Sequence, residues 1–132
     1  MAVLVNFMND FETLTLEKKE DGLLYLEGTD QLADGTFTGL WSDGTLKAEY
    51  SLRAGKYHGP MFHYWTNGQL SFKANFKDGI GHGEQIFYYK NGQIQAVNNI
   101  KNNVLDGLSK RYSEDGSIVE LVRFKDGEKV EG

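Results

Sequence analysis

Three series of turn residues recur along this chain at a spacing of 24 residues, and they constrain its fold more than any other feature. A fixed period of this length is typical of proteins built from short units that stack in a row. The first series is Asp43-Gly44, Asn67-Gly68, Asn91-Gly92 and Asp115-Gly116, the second is Gly55, Gly79, Asn103 and Gly127, and the third is Gly35, Gly59, Gly83 and Gly107. We therefore interpret Gly44, Gly68, Gly92, Gly116, Gly59, Gly83 and Gly107 as structural turn residues of the repeats.

Each repeat contains two segments with the pattern of a β-strand. Residues 70–76 alternate apolar and polar side chains, and residues 85–89 are rich in aromatic side chains. The Asn-Gly and Asp-Gly pairs predict two-residue hairpin turns in which both residues have positive φ. The sequence therefore predicts an all-β, antiparallel meander of 24-residue hairpins with little or no helix.

The period weakens before Gly44. Asp21-Gly22 follows the pattern as a degenerate fifth turn, and the first 20 residues do not follow it. We therefore predict one domain, in which residues 1–20 form an N-terminal cap region and residues 21–132 form the repeat sheet.

Hairpin pairing assigns side chains to two faces. A two-residue turn at Asn67-Gly68 pairs Trp65 with Leu70 and His63 with Phe72, and paired residues point to the same side. This predicts a core face made of Phe37, Trp41, Leu46, Ala48, Tyr50, Leu52, Met61, His63, Trp65, Leu70, Phe72, Ala74, Phe76, Phe87, Tyr89, Ile94, Ala96 and Ile100.

The opposite face carries tyrosines at a spacing of 24 residues. Tyrosine offers a rigid apolar ring with one hydrogen-bonding group, which suits binding surfaces, although such rings can also stack on one another and stiffen the sheet. The candidate partner-binding residues are Phe62, Tyr64, Lys73, Ile86, Tyr88 and Tyr112, and this face is also predicted to hold Lys47, Ser71, Gln95 and Lys110.

The sequence contains few features of a catalytic site or a metal-binding site. The chain has no cysteine and no nucleophile or metal-protease motif. Two strand spacings would hold His58 and His82 about 10 Å apart, so we expect them to hydrogen-bond the turn backbone instead of sharing a metal. The prediction is a protein that is not an enzyme and has no catalytic residue, metal or cofactor.

The charge of −5 is unevenly distributed, because residues 1–35 alone carry eight acidic and two basic residues. An acidic chain without a basic cluster is a poor ligand for nucleic acid or anionic membranes, and a basic protein partner suits it better. The first residues lack the basic and apolar parts of a signal peptide, which predicts a cytoplasmic protein.

The repeat unit resembles the MORN repeat, and in particular its variant found in bacteria. The units "NGQLSFKANFKDGIGHGEQIFYYK" (residues 67–90) and "SDGTLKAEYSLRAGKYHGPMFHYW" (42–65) carry the pattern of aromatic strand, Asn/Asp-Gly turn, second strand and a turn in which a glycine is followed three residues later by His-Gly. The third unit departs from it at Asn103 and Asp106. The resemblance implies a single-layer, elongated, curved sheet that does interaction work; small bacterial proteins of this kind are often described as antitoxins.

Three hypotheses for function remain open. The first is a protein-binding module, such as an antitoxin or immunity-type inhibitor of a basic, toxin-like partner. The second is a structural scaffold that forms a homo-oligomer through an apolar C-terminal edge strand near residues 118–124. The third is an aromatic groove that binds lipid or sugar.

Overall fold

The computed structural model describes residues 2–7 and 10–130, with side chains from residue 16 onward. The described residues form strands and turns and contain no helix. The strands are β1 (Ala2–Phe7), β2 (Asp10–Lys18), β3 (Leu24–Leu26), β4 (Gly35–Leu40), β5 (Leu46–Arg53), β6 (Lys56–Tyr64), β7 (Leu70–Lys77), β8 (Ile80–Gly81), β9 (Gly83–Tyr88), β10 (Ile94–Lys101), β11 (Val104–Leu105), β12 (Gly107–Tyr112), β13 (Ile118–Lys125) and β14 (Glu128–Val130).

All strands belong to one antiparallel sheet in which neighbours in sequence are mostly neighbours in space. The order is β14-β13-β12-β10-β9-β7-β6-β5-β4-β1-β2-β3, with β11 beside β10 and β8 beside β7. The predicted all-β meander is confirmed. The predicted boundary at residue 20 stays a prediction, and Met1, Met8 and Asn9 of that cap region lie outside the described residues.

The Asn-Gly and Asp-Gly turns are not the two-residue turns that the sequence predicts. Trp65 N–H donates to the Gln69 carbonyl at 2.7 Å, which leaves three residues in the loop, and only Gly68 has positive φ. The Asn67 side chain accepts the Gln69 N–H at 3.0 Å, a bond that favours asparagine or aspartate here. A loop of three residues instead of two shifts the strand pairing by one residue. A β-bulge in the second strand then shifts the pairing back, so His63 pairs with Phe72 as predicted. The bulged residues are Lys47, Ser71, Gln95 and Val119.

Two-residue turns with positive φ at both positions occur instead at the second series. Asp78 and Gly79 have φ of 50° and 82° and join the paired residues Lys77 and Ile80. The turn tips of successive repeats are linked, since Gly79 N–H donates to the Tyr57 carbonyl at 2.7 Å. This turn type matches the twist of the two strands that it joins.

At its N-terminal end the sheet curls over its own core face. Leu24 N–H donates to the Gly55 carbonyl at 2.9 Å, which ties β3 to the turn between β5 and β6. Leu16 of β2 thereby packs with Phe37 and Leu52 in the core cluster. The buried apolar residues are Leu16, Ala33, Phe37, Ala48, Leu52, Met61 and Ala74.

Burial stops about half-way along the sheet. Gly81 is the last residue of the described chain that is buried, and every described residue after it is half-buried or exposed. The predicted core is therefore wrong in its second half, where Phe87, Tyr89, Ala96 and Ile100 remain partly open to solvent. The physical reason is the missing second layer, because β2 and β3 reach only the first strands.

Candidate functional site

One face of the sheet carries a continuous row of directly paired residues from β4 to β13. We call the side that holds it the tyrosine face. Paired residues share a side, so the pairing places the whole row together. The row is Thr38, Glu49, Phe62, Lys73, Ile86, Val97, Lys110 and Leu121.

A second set of pairs lies on the same face, next to the three-residue loops. Three of its four pairs combine a tyrosine with an aliphatic partner, and the first is a pair of leucines: Leu40 with Leu46, Tyr64 with Leu70, Tyr88 with Ile94 and Tyr112 with Ile118. The sequence prediction placed Leu46, Leu70 and Ile94 on the core face, and that is wrong. The bulge explains the error, because each aliphatic residue precedes it and so lies on the other side from the residues that follow.

The structure brings all six predicted partner-binding residues together on the tyrosine face. Each of them is half-buried, so part of every side chain is open to a partner. The close ring pairs among described residues lie on the core face instead, as in Phe72 with Phe87 at 4.9 Å. The members of the set are Phe62, Tyr64, Lys73, Ile86, Tyr88 and Tyr112.

The tyrosines are held in place through their backbone. Trp65 Nε1 donates to the carbonyl oxygen of Tyr88 at 3.1 Å, and the Tyr89 hydroxyl donates to that of Tyr112 at 2.7 Å. The Asn67 side chain adds a bond from its amide to the Lys90 carbonyl at 2.9 Å. Each bond joins one repeat to the next, so it fixes the spacing of the tyrosine ladder.

The tyrosine face combines the hydroxyl group of Tyr64 with a few charged side chains. Desolvation raises the pKa of Tyr64, and the negative charge of Glu49 raises it further. Tyr64 therefore keeps its proton at neutral pH and can donate a hydrogen bond. Lys73 and Lys110 supply the positive charges of the row.

Side chains at one repeat-equivalent position, His58 and Asp106, accept hydrogen bonds from the backbone of turns. His58 Nδ1 accepts the Asp78 N–H at 3.2 Å, and Asp106 accepts the equivalent Asp126 N–H at 3.1 Å. For His58, the expected bond to the turn backbone is confirmed. Within residues 16–130, no three histidine, aspartate or glutamate side chains are grouped as they would be around a metal ion.

The core face has a feature that the sequence did not reveal. Beyond the covered part it forms an open hollow, which we call the core-face hollow, lined by His63, Trp65, Ser71, Phe72, Gln85, Phe87 and Gln95. Desolvation lowers the pKa of His63, as does the charge of Lys47, so this ring is neutral. Ser71, Gln95 and Lys47 were predicted on the opposite face, which is wrong because the bulge turns them toward this one: Ser71 and Gln95 line the hollow, and Lys47 lies over the Trp41 ring.

A comparison with protein-family models identifies the repeats. The model described as "MORN repeat variant" matches residues 57–78, 81–102 and 105–126, which together make up half of the chain. No curated protein and no solved structure matched in the other two comparisons. The described residues include no helix long and apolar enough to cross a membrane. MORN repeats are in general modules that bind proteins or membranes. With half of its length in three tandem units of this one type, the chain belongs to the family of MORN repeat variants.

Proposed function

We propose that this protein is a non-catalytic binding module whose tyrosine face docks a partner protein. The observation that carries the proposal is an apolar surface without a covering layer. The described residues place aromatic or aliphatic side chains on this face in every repeat, and none of the described strands crosses over them. Exposure is greatest at the far end, where Ile118 is 58% and Leu121 is 57% exposed. Exposed apolar side chains that are grouped on one face among polar ones mark interaction sites on soluble proteins.

The charge distribution suits a basic partner, as an antitoxin or immunity-type inhibitor would have. Eight acidic residues lie within residues 1–35, so the curled end of the sheet carries the negative charge. This charge would raise the association rate and make it sensitive to salt. Binding strength would come from the aromatic side chains, which dominate most protein interfaces.

Affinity capture from the source cells at low salt, followed by mass spectrometry, tests the proposal. The baits are the wild-type protein, a Tyr64→Ala/Tyr88→Ala variant and a Gln69→Ala/Gln93→Ala control. The control changes two exposed residues with the same spacing. One stoichiometric basic partner that is lost only from the tyrosine variant supports the proposal. Absence of such a partner, or its equal loss from the control, contradicts it.

Co-expression separates an inhibitor from other binding modules. If the partner is a toxin, it arrests growth when produced alone, and the wild-type chain restores growth. The tyrosine variant fails to restore it. A partner that leaves growth unchanged would exclude the antitoxin role while keeping the binding role.

Self-assembly is a second candidate that one observation favours. The strand β14 pairs only with residues 123–125 of β13, and no other described strand lies beyond the rest of β13. At the bulge position the first three repeats carry Lys47, Ser71 and Gln95, whereas the last carries Val119, which is 58% exposed. An apolar residue at an uncovered edge favours contact with a further chain. Recovery of untagged copies by the tagged bait would support this role, and flotation with anionic vesicles would instead support lipid binding.

A further inference from the structure

Two of the four three-residue loops carry a sequence that reacts slowly with itself in water. Asn67 and Asn91 are exposed, and each is followed by a glycine. The backbone nitrogen that follows an asparagine can attack the side-chain amide, and glycine hinders this attack least because it has no side chain. Asparagine is for this reason among the thermolabile residues of proteins. The equivalent residues of the other two loops, Asp43 and Asp115, have no amide to lose.

The reaction is a deamidation in two steps, with water as the only co-reactant. At the second of these loops, the Gly92 nitrogen loses its proton and forms a bond to Cγ of Asn91. The bond from Cγ to the amide nitrogen breaks, so ammonia leaves and a cyclic imide remains. Water then opens the imide at one carbonyl to give aspartate, or at the other to give isoaspartate. Either product carries a negative charge that asparagine lacks.

The folded loop opposes this reaction by bonding every group that takes part in it. The Asn67 side-chain oxygen accepts the Gln69 N–H at 3.0 Å, and its amide donates to the Lys90 carbonyl at 2.9 Å. The attacking nitrogen is also held, because Gly68 N–H donates to the Trp65 carbonyl at 3.0 Å. Cyclisation has to break these bonds, so it proceeds through local opening of the loop.

The second loop is held less firmly than the first. The amide of Asn91 donates to the Glu114 carbonyl at 3.2 Å, whereas the equivalent bond of Asn67 measures 2.9 Å. The strands that flank Asn67 contain the buried residues Met61 and Ala74, but the strands that flank Asn91, β9 and β10, contain no buried residue. Local opening costs least free energy where little surface is buried, so the loop of Asn91 opens more often.

We propose that Asn91 is a site of spontaneous deamidation and that it converts before Asn67. Aspartate fits these loops, since Asp43 and Asp115 each accept the N–H of the second residue after them at 2.9 Å. A carboxylate cannot donate to the Glu114 carbonyl, however, so the conversion removes a hydrogen bond between two repeats and places a negative charge beside that oxygen. The site does not depend on the partner proposed above.

Peptide mapping by mass spectrometry, over weeks in mildly alkaline buffer, tests the order of conversion. Reference peptides of residues 64–70 and 88–94 contain the same Asn-Gly-Gln sequence, so we expect them to react at similar rates. In the folded chain we expect both sites to react more slowly than the peptides, and Asn91 about fivefold faster than Asn67. Equal rates at the two sites, or earlier conversion of Asn67, would overturn the proposal. So would an unchanged Asn91 after the peptides have fully reacted.

Two controls separate the effect of the fold from that of the neighbouring sequence. A Thr66→Lys/Lys90→Thr variant exchanges the exposed residues that precede the two asparagines. We expect Asn91 still to convert first, and a reversed order would assign the difference to sequence and contradict the proposal. In urea that unfolds the chain, we expect both sites to reach the rates of the reference peptides. A difference between the sites that persists in urea would contradict a role of loop opening.

Substitutions that mimic the product test its effect on the coupling between repeats. Asn91→Asp removes the bond to Glu114, and we expect the urea midpoint to fall by about 0.5 M. Asp43→Asn is the matched opposite change, because it supplies a donor for the Thr66 carbonyl, the equivalent acceptor in the next repeat. We expect its midpoint to rise. Circular dichroism confirms that each variant is folded. An unchanged midpoint for Asn91→Asp would overturn the loss of coupling, as would equal shifts of both variants in one direction.

Discussion

Phe37 and Phe87 lie on the core face of one sheet, yet Phe37 is 1% exposed whereas Phe87 is half-buried. The two rings occupy different positions in the repeat, since Phe37 corresponds to Met61 and Phe87 to His63, but both sit in antiparallel ladders. The difference comes from the second layer, since β2 and β3 curl over the first strands only. Whether an apolar strand residue becomes core or open surface therefore depends on what covers it.

Alanine substitution of the two phenylalanines gives the largest expected contrast. Phe37→Ala removes a fully buried ring and should lower the free energy of unfolding by about 3–5 kcal/mol. Phe87→Ala removes a half-buried ring and should cost about 1–2 kcal/mol. Urea denaturation of both variants measures the difference. Equal losses would mean that the open half is covered in solution.

Enlarging an alanine in each half gives the next contrast. Ala74 is fully buried, so Ala74→Leu should overpack the core and cost about 1–3 kcal/mol. Ala96 faces the open part of the core face, and Ala96→Leu should stay within about 0.5 kcal/mol of wild type. Thermal unfolding of the dilute monomer distinguishes the two. A costly Ala96→Leu would contradict the open arrangement.

The two tryptophans compare a satisfied donor with an unsatisfied one at equivalent positions. Trp65 Nε1 donates to the Tyr88 carbonyl, whereas Trp41 Nε1 is buried and has no hydrogen-bond partner among the described residues. Trp65→Phe loses this hydrogen bond, whereas Trp41→Phe loses none. We therefore expect Trp65→Phe to lower the free energy of unfolding by about 1 kcal/mol more than Trp41→Phe does. Denaturant midpoints of the pair provide the measurement. The reverse order would show that Trp41 has found a partner.

The smallest expected effect concerns acid stability of the last three-residue loop. A hydrogen bond from the Ser113 hydroxyl, and then bonds from Ser117, lower the pKa of Asp115 from 3.8 to about 2. A lowered pKa stabilises the fold above 3.8, and that contribution is lost as the pH falls toward 2. Asp115→Asn keeps the acceptor, as Asn67 does, so its stability should fall less over this window. Parallel pH titrations of unfolding free energy compare the two proteins, and identical slopes would contradict the assignment.

The glycine series predicted the repeat, the strands and the tyrosine face because turn residues obey local steric rules. The type of each turn was harder to predict. Asn-Gly suits a two-residue turn, but here the Asn67 side chain bonds to Gln69 N–H and stabilises a three-residue loop. The alternation of apolar and polar residues does not indicate the bulge that follows, because Ser71 fits the pattern of an ordinary polar strand residue. That is why Leu70 was assigned to the wrong face while Phe72 was assigned correctly.

The second layer could not be predicted from the repeat pattern because it is made by residues that do not follow it. Leu16 and Ala33 are buried only because the sheet curls, and curling brings together residues that are distant in sequence. The core-face hollow has the same origin, since its extent depends on where that layer ends. Local patterns report which face is apolar and carry no information on how much of it is covered.

The concentration of buried residues before Gly81 also has a consequence for the order of folding. A chain is synthesised from its N-terminus, so every residue of the covered core leaves the ribosome before the open repeats are made. The first half can then fold as a nucleus with its long-range contacts complete. Later repeats add one hairpin at a time to an edge that already exists, which requires only contacts between neighbours. The slow, long-range step would be finished while the remainder of the protein is still being translated.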